Sequence, residues 1–285
     1  RRQWQDGVNT TRIPGITCSK NGTLIAMYDA RRDSYRDLQG NIDICYNRST
    51  DGGRTWSPMM VAIDMGEWGG LPQKYNGVTD GSVLADMETG DIYITGLWMH
   101  GVIDPYTGKT VENLTEDSKA WNHQWRSYGS QPGYDVKRSS QFVYVKSTDD
   151  GLTWSEPKVL CGEPRWHQSC GSVDIHDGKV TLVYEKWMRA DHKWPGVGPV
   201  LMQADISSDL TDASNWKFSE LYSPDADIIA SKPSGIPALP VSGTDAMSAG
   251  ILETNVVRIF DDKHPFYDPS GKSLVLMTRA NTGLP

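Results

Sequence analysis

The chain has no stretch approaching the roughly 18 consecutive apolar residues that a bilayer span requires, which excludes a helical membrane anchor within it. It also lacks any long segment with an apolar period of 3.6 residues, so helix is expected to be scarce. Positive charge is in deficit: 28 Lys and Arg stand against 36 Asp and Glu, a net charge of -8. A broad basic surface for nucleic acid or an anionic membrane is thereby disfavoured, and any anionic ligand must be held locally. The four cysteines, Cys18, Cys45, Cys161 and Cys170, have no metal-like spacing. Cys18 and Cys45 fall in strand-like runs and are expected as buried thiols. Cys161 and Cys170 flank a loop, where a bridge is the minority reading. The opening Arg1-Arg2-Gln3-Trp4 has no apolar core of a signal peptide, so an exported form is expected to have lost its leader already. No metal and no cofactor is expected.

What is abundant is punctuation. There are 28 Gly and 16 Pro, with 11 Trp and 12 Tyr against 4 Phe, spread between short strand-like runs. That is the pattern of an all-β protein built from hairpins, and a surplus of amphipathic aromatics suits stacking on sugar C–H groups. Strands are predicted at 15–18, 23–29, 42–48, 81–86, 92–98, 141–147, 171–175, 179–186, 200–206, 255–260 and 273–279. Turn chemistry separates them at Lys20-Asn21-Gly22, Glu88-Thr89-Gly90-Asp91, His176-Asp177-Gly178 and Pro269-Ser270-Gly271. Residues 101–134 are polar, aperiodic and rich in Trp, Tyr and Gly, and read as a long insertion that walls a binding site. No linker divides the chain, so 1–285 is expected to form a single domain. Sequons at Asn9, Asn21, Asn47 and Asn113 matter only in a eukaryotic secretory pathway.

One phrase occurs twice: Ser49-Thr50-Asp51-Gly52-Gly53-Arg54-Thr55-Trp56 and Ser147-Thr148-Asp149-Asp150-Gly151-Leu152-Thr153-Trp154. Its Asp can fold back onto turn N–H groups, its Gly can take positive φ, and Thr-Trp re-enters a strand. A looser third copy, without the glycine, runs from Ser207-Ser208-Asp209-Leu210 to Asn215-Trp216. A repeated unit implies a repeated architecture.

The densest charged group is Thr11-Arg12-Ile13-Pro14-Gly15 with Tyr28-Asp29-Ala30-Arg31-Arg32-Asp33-Ser34-Tyr35-Arg36-Asp37. A hairpin would bring Arg12 and Arg31 to one rim of a sheet, where two planar guanidinium groups make a carboxylate site. The competing reading is a set of surface ion pairs with Asp29, Asp33 and Asp37.

The repeated phrase is similar to the Asp box of sialidase-type β-propellers. The run R-I-P, then G-T-L-I-A-x-x-D-A-R-R, an Asp six residues beyond Arg31, D-I and an Asp box resembles the bacterial exo-α-sialidases closely from Arg12 to Trp56, and more loosely to the C-terminus. The resemblance implies an all-β, six-bladed propeller, with this chain supplying roughly four to five blades. It also implies a retaining glycoside hydrolase that releases terminal sialic acid, or a related nonulosonic acid, from a sialylated glycan.

By that resemblance Arg12 and Arg279 belong to an arginine triad on the sugar carboxylate, and Arg31 lies near its 4-hydroxyl. Asp37 serves as acid and base, Asp80 lines the N-acyl pocket, and Glu253 activates a tyrosine nucleophile. The tyrosine and the third arginine match no position here and are expected beyond Pro285, and the remaining blades on another polypeptide piece. His167 is expected as a structural histidine, and Asp261-Asp262-Lys263-His264 as a solvated hairpin rather than a metal cluster. Two alternatives stay open: a sialic-acid-binding propeller without catalysis, and a propeller enzyme for another acidic sugar such as a uronate. The expected location is secreted, periplasmic or cell-surface.

Overall fold

The computed structural model describes residues 3–35, 40–67, 73–100, 141–160, 173–187, 197–218 and 251–280. The 101–134 insertion, the Cys161–Cys170 loop with His167, and Asp37 lie outside the described residues. The described chain is all-β, apart from short 3-10 turns. Among the described residues no helix is long and apolar enough to cross a membrane, and no three His, Cys, Asp or Glu side chains are grouped to hold a metal ion.

Strands β1 (Thr10–Cys18), β2 (Leu24–Arg31), β3 (Ile42–Ser49) and β4 (Met60–Ile63) form one antiparallel meander. Strands β5 (Asn76–Ala85), β6 (Ile92–His100), β7 (Gln141–Ser147) and β8 (Lys158–Val159) form a second. A third holds β9 (Val173–His176), β10 (Lys179–Trp187), β11 (Val197–Asp205) and β12 (Lys217–Phe218), and β13 (Ile251–Val257) pairs with β14 (Val275–Ala280). The chain divides into two compact units, residues 1–170 with 208–215, and residues 171–207 with 216–285.

In the first unit, β5 packs against β1, β2 and β3. The core between the two sheets holds Ile25, Met27, Ile44, Tyr46, Ile63, Val78, Ile92, Ile94, Trp98, Val143 and Val145. Alternation along each strand puts these side chains on one face, and burying each stabilises the fold by about 1.5–3 kcal/mol. The approach of β5 requires Gly81, where a Cβ would stand 2.8 Å from Met27 Sδ and 3.1 Å from both Ile44 Cδ1 and the Thr95 carbonyl. In the second unit β13 packs against β9, β10 and β11.

The repeated phrase forms two turns of one geometry. Asp51 accepts from the Ser49 hydroxyl (2.8 Å), the Thr55 amide (2.9 Å) and the Thr55 hydroxyl (2.6 Å), and the Gly53 amide donates to Ser49 Oγ (2.9 Å). Asp149 accepts from Ser147 (2.8 Å), the Thr153 amide (2.9 Å) and the Thr153 hydroxyl (2.5 Å), and Gly151 donates to Ser147 Oγ (2.8 Å). These donors, first among them the threonine hydroxyls, hold both carboxyls down at about 2.

The second turn also locks onto the neighbouring sheet. Asp150 accepts from the Thr23 hydroxyl and from Arg48, while the Gly151 carbonyl accepts from the Tyr46 hydroxyl at 3.1 Å. The third copy keeps the aspartate in a longer loop: Asp209 Oδ1 accepts from the Thr211 amide and hydroxyl, and Asn215 returns a bond to the Asp209 carbonyl.

Two expectations are corrected, for Cys18 and Asp80. Cys18 is exposed and only Cys45 is buried, because the outward positions of β1 fall on the even residues from Arg12 to Cys18. At the Asn47 sequon the side chain accepts from the Tyr28 hydroxyl and donates to the Ser57 carbonyl. Asp80 lies within β5 rather than ahead of a strand.

Candidate active site

Arg12 and Arg31 come from adjacent strands. The β1–β2 register pairs Thr10 with Arg31 and Arg12 with Asp29, so one end of this hairpin carries two guanidinium groups and a carboxyl. Arg12 is exposed, whereas Arg31 is 2% exposed and Asp29 is fully buried. Their ion pair spans 3.4 Å, Arg31 Nη2 to Asp29 Oδ2, and Arg31 Nη1 donates to the Tyr35 carbonyl at 3.0 Å. For Asp29 the surface-pair reading is corrected: it does pair with Arg31, but inside the protein, where desolvation makes the pair a matter of site construction rather than stability.

Strand β5 supplies the third side of the site. The Thr79 hydroxyl donates to Asp29 Oδ2, and the next residue is Asp80. Burial lifts the Asp29 carboxyl to about 7, and the Asp80 charge adds to the lift, while the Thr79 hydroxyl and Arg31 oppose it. The β1–β2 register slips between Arg12 and Gly15, and the β5–β6 register between Thr79 and Ser82. Ile13 (φ 51°) and Asp80 (φ 52°) hold positive φ at these two bulges. For a β-branched isoleucine this is a costly conformation, of order 1–3 kcal/mol, and such outliers gather at functional sites.

Asp37 lies outside the described residues, in the β2–β3 connection. The neck of that connection is held by the Arg32 amide on the Asn41 carbonyl (3.0 Å) and by Arg32 Nε on Asp43 Oδ2 (2.5 Å). Asp43 is buried, and that burial, with repulsion from Asp64, lifts its carboxyl to about 6 against the pull of Arg32.

Glu253 and Arg279 belong to the second unit. Glu253 is on β13, where the register slips between Leu252 and Asn255, and Arg279 on β14 stands opposite Leu252. The hairpin thus brings these two positions to neighbouring rungs. A cavity of about 180 Å³ lined by His176, Arg258, Phe260, Phe266 and Tyr267 lies at the opposite, turn end of the same hairpin, beyond the Val257–Val275 pair.

Arg12, Arg31 and Asp80 therefore form one group and Glu253 with Arg279 another. The sequence reading missed Asp29 and Thr79 as site residues. One signal for Asp29 was present: it is an acidic residue, in step with Arg31, closing the apolar run Leu24–Tyr28.

No protein-family model matches the chain. A sialidase of Bacteroides fragilis is 34% identical over 224 residues, covering 76% of this chain and 36% of that protein. A sialidase of Micromonospora viridifaciens is 29% identical over 261 residues, covering 74% of this chain and 39% of its own length. The solved structure of a Hadza microbial sialidase superposes with a TM-score of 0.58 at 31% identity, over 76% of this chain and 38% of that one. The chain thus spans little more than a third of the length of the curated relatives it matches. The shared sequence runs through most of the chain, and the chain belongs to the bacterial-type sialidase family.

Proposed function

We propose that this chain carries the greater part of the site of an exo-α-sialidase, which releases terminal sialic acid or a related nonulosonic acid from a glycan with retention of configuration. The observation that carries the reading is the juxtaposition of Arg12 and Arg31 on paired strands beside the Thr79-Asp80 bulge. In this reading Arg12 and Arg279 grip the sugar carboxylate, Arg31 faces the 4-hydroxyl side and Asp80 lines the N-acyl pocket.

The proton work falls to two carboxyls. Asp37 protonates the glycosidic oxygen as the bond to the anomeric carbon breaks, then takes a proton from the water that ends the reaction. Glu253 takes the proton of a tyrosine hydroxyl as that oxygen bonds to the anomeric carbon; a neutral nucleophile avoids repulsion from the substrate carboxylate. No residue of this chain is assigned as that tyrosine or as the third arginine.

The architecture in this reading is a six-bladed propeller, each antiparallel sheet being one blade, and the setting is extracytoplasmic. A polypeptide carrying this chain should release the fluorophore from an aryl α-sialoside, with the α-anomer of free sialic acid seen first by NMR. Binding of sialic acid without release would favour a lectin, and release from an aryl uronide alone would favour another acidic sugar.

A further inference from the structure

Asp29 is a buried acid that the mechanism above leaves without a task. The described residues around it come from four strands. Arg31 shares its strand, Arg12 stands opposite it on β1, Thr79 and Asp80 approach from β5, and β3 presents Ile44 at the facing rung. One oxygen, Oδ2, receives both the Thr79 hydroxyl and Arg31, while Oδ1 is buried with no hydrogen-bond partner among the described residues. An acid needed only to neutralise Arg31 would be expected to have both oxygens satisfied.

From this geometry we infer that Asp29 is a positioning residue that holds the Arg31 guanidinium and the Thr79-Asp80 bulge together and sets how much positive charge Arg31 offers to an anionic sugar, an inference that rests on the sialidase reading. When Asp29 is ionised, it neutralises Arg31 and adds a negative charge behind an anionic ligand. When it is protonated, the compensation that Asp29 gives to Arg31 is withdrawn. The Asp29 carboxyl titrates at about 7, so the change falls within the working range of an enzyme. Linkage makes the effect reciprocal: an anionic ligand bound beside Arg31 favours the protonated form, so binding takes up a proton near neutrality.

The test is the pH dependence of KM for a fluorogenic aryl sialoside, measured separately from kcat, between pH 5.5 and 8.5. For the wild type, KM should rise roughly ten-fold as pH passes through neutrality, a coupling of ordinary size. Asp29→Asn keeps the side-chain shape and the acceptor for Thr79 but cannot ionise, so its KM should stay near the wild-type low-pH value and fall below the wild-type value at pH 8. Thr79→Val removes the hydroxyl that favours ionisation and should move the rise in KM to higher pH; it serves where the asparagine variant does not fold.

A merely structural Asp29 gives the opposite pattern, with KM or kcat worse at every pH and the profile unmoved, and that result overturns the inference. Turnover by the wild type at any pH supports the functional reading independently of Asp29. Absence of both turnover and sialoside binding refutes that reading and this inference with it.

Discussion

Gly53 and Gly151 occupy the same position of the two repeated turns and share nearly the same backbone, with φ of 86° and 75°. Replacing either by alanine costs about 1–2 kcal/mol, because an L-residue in the left-handed region crowds its own carbonyl. Beyond that the sites differ. A Cβ on Gly53 would meet Leu24 Cδ1 at 3.5 Å, an ordinary contact, whereas on Gly151 it would stand 2.8 Å from Ile25 Cδ1. Ile25 is fully buried, so it cannot swing away into solvent. Overpacking of this kind adds about 1–3 kcal/mol.

Gly151→Ala should therefore unfold at a temperature roughly 2–12 °C below Gly53→Ala, at about 2–4 °C per kcal/mol for a unit of this size. Thermal and urea denaturation measure the difference. A cycle with Ile25→Val, which removes the offending methyl, should show that this shortening costs less in the Gly151→Ala background than in the wild type. Equal losses at the two glycines, or strict additivity in the cycle, would refute the claim that the second turn is wedged against the neighbouring sheet.

Stability should peak near pH 4–5. The Asp29 and Asp43 carboxyls, lifted to about 7 and about 6 chiefly by burial, keep protons in the folded state that the unfolded chain has released, so stability declines as pH rises from about 4 to about 7. Asp51, Asp149 and Asp205, held at about 2 chiefly by hydroxyl donors, act in the other direction, and their contribution disappears as pH falls from about 4 towards 2. A melting temperature that climbs steadily from pH 5 to 8 would contradict this. Asp37→Ala should lose turnover of sialosides with poor leaving groups far more than of activated aryl sialosides, since only the former need a proton on the departing oxygen; equal loss on both would remove Asp37 from the acid role. Met27→Ala, at the centre of the first unit's core, should cost about 2–5 kcal/mol in urea denaturation, and a cost below 1 would mean that β5 does not pack as described.

Local chemistry was legible where its partners are near in sequence. The turns at Lys20-Asn21-Gly22 and His176-Asp177-Gly178 occur with glycine at positive φ, and β7 runs over the predicted 141–147. The turn at Glu88-Thr89-Gly90-Asp91 also forms, but the residue that organises it is Asp86, whose carboxyl accepts from the Glu88 amide at 2.8 Å. The short outer strands β4, β8 and β12 escaped notice, because two to four residues carry too little alternation to read. The β1 strand begins at Thr10 and not at Gly15, since Pro14 sits in a bulge that the pattern Arg12-Ile13-Pro14 does not disclose.

The sequence by itself determined the all-β character, the twin turns and the nearness of Arg12 to Arg31, because each follows from residues within a hairpin's reach of one another. Only the tertiary structure decided that Arg31 is buried, that Asp29 pairs with it inside the protein, and that Thr79 reaches this pair from 50 positions away. Burial and the lift it gives to the Asp29 carboxyl arise from two sheets closing on each other, and a desolvation that needs both surfaces is written in neither strand alone.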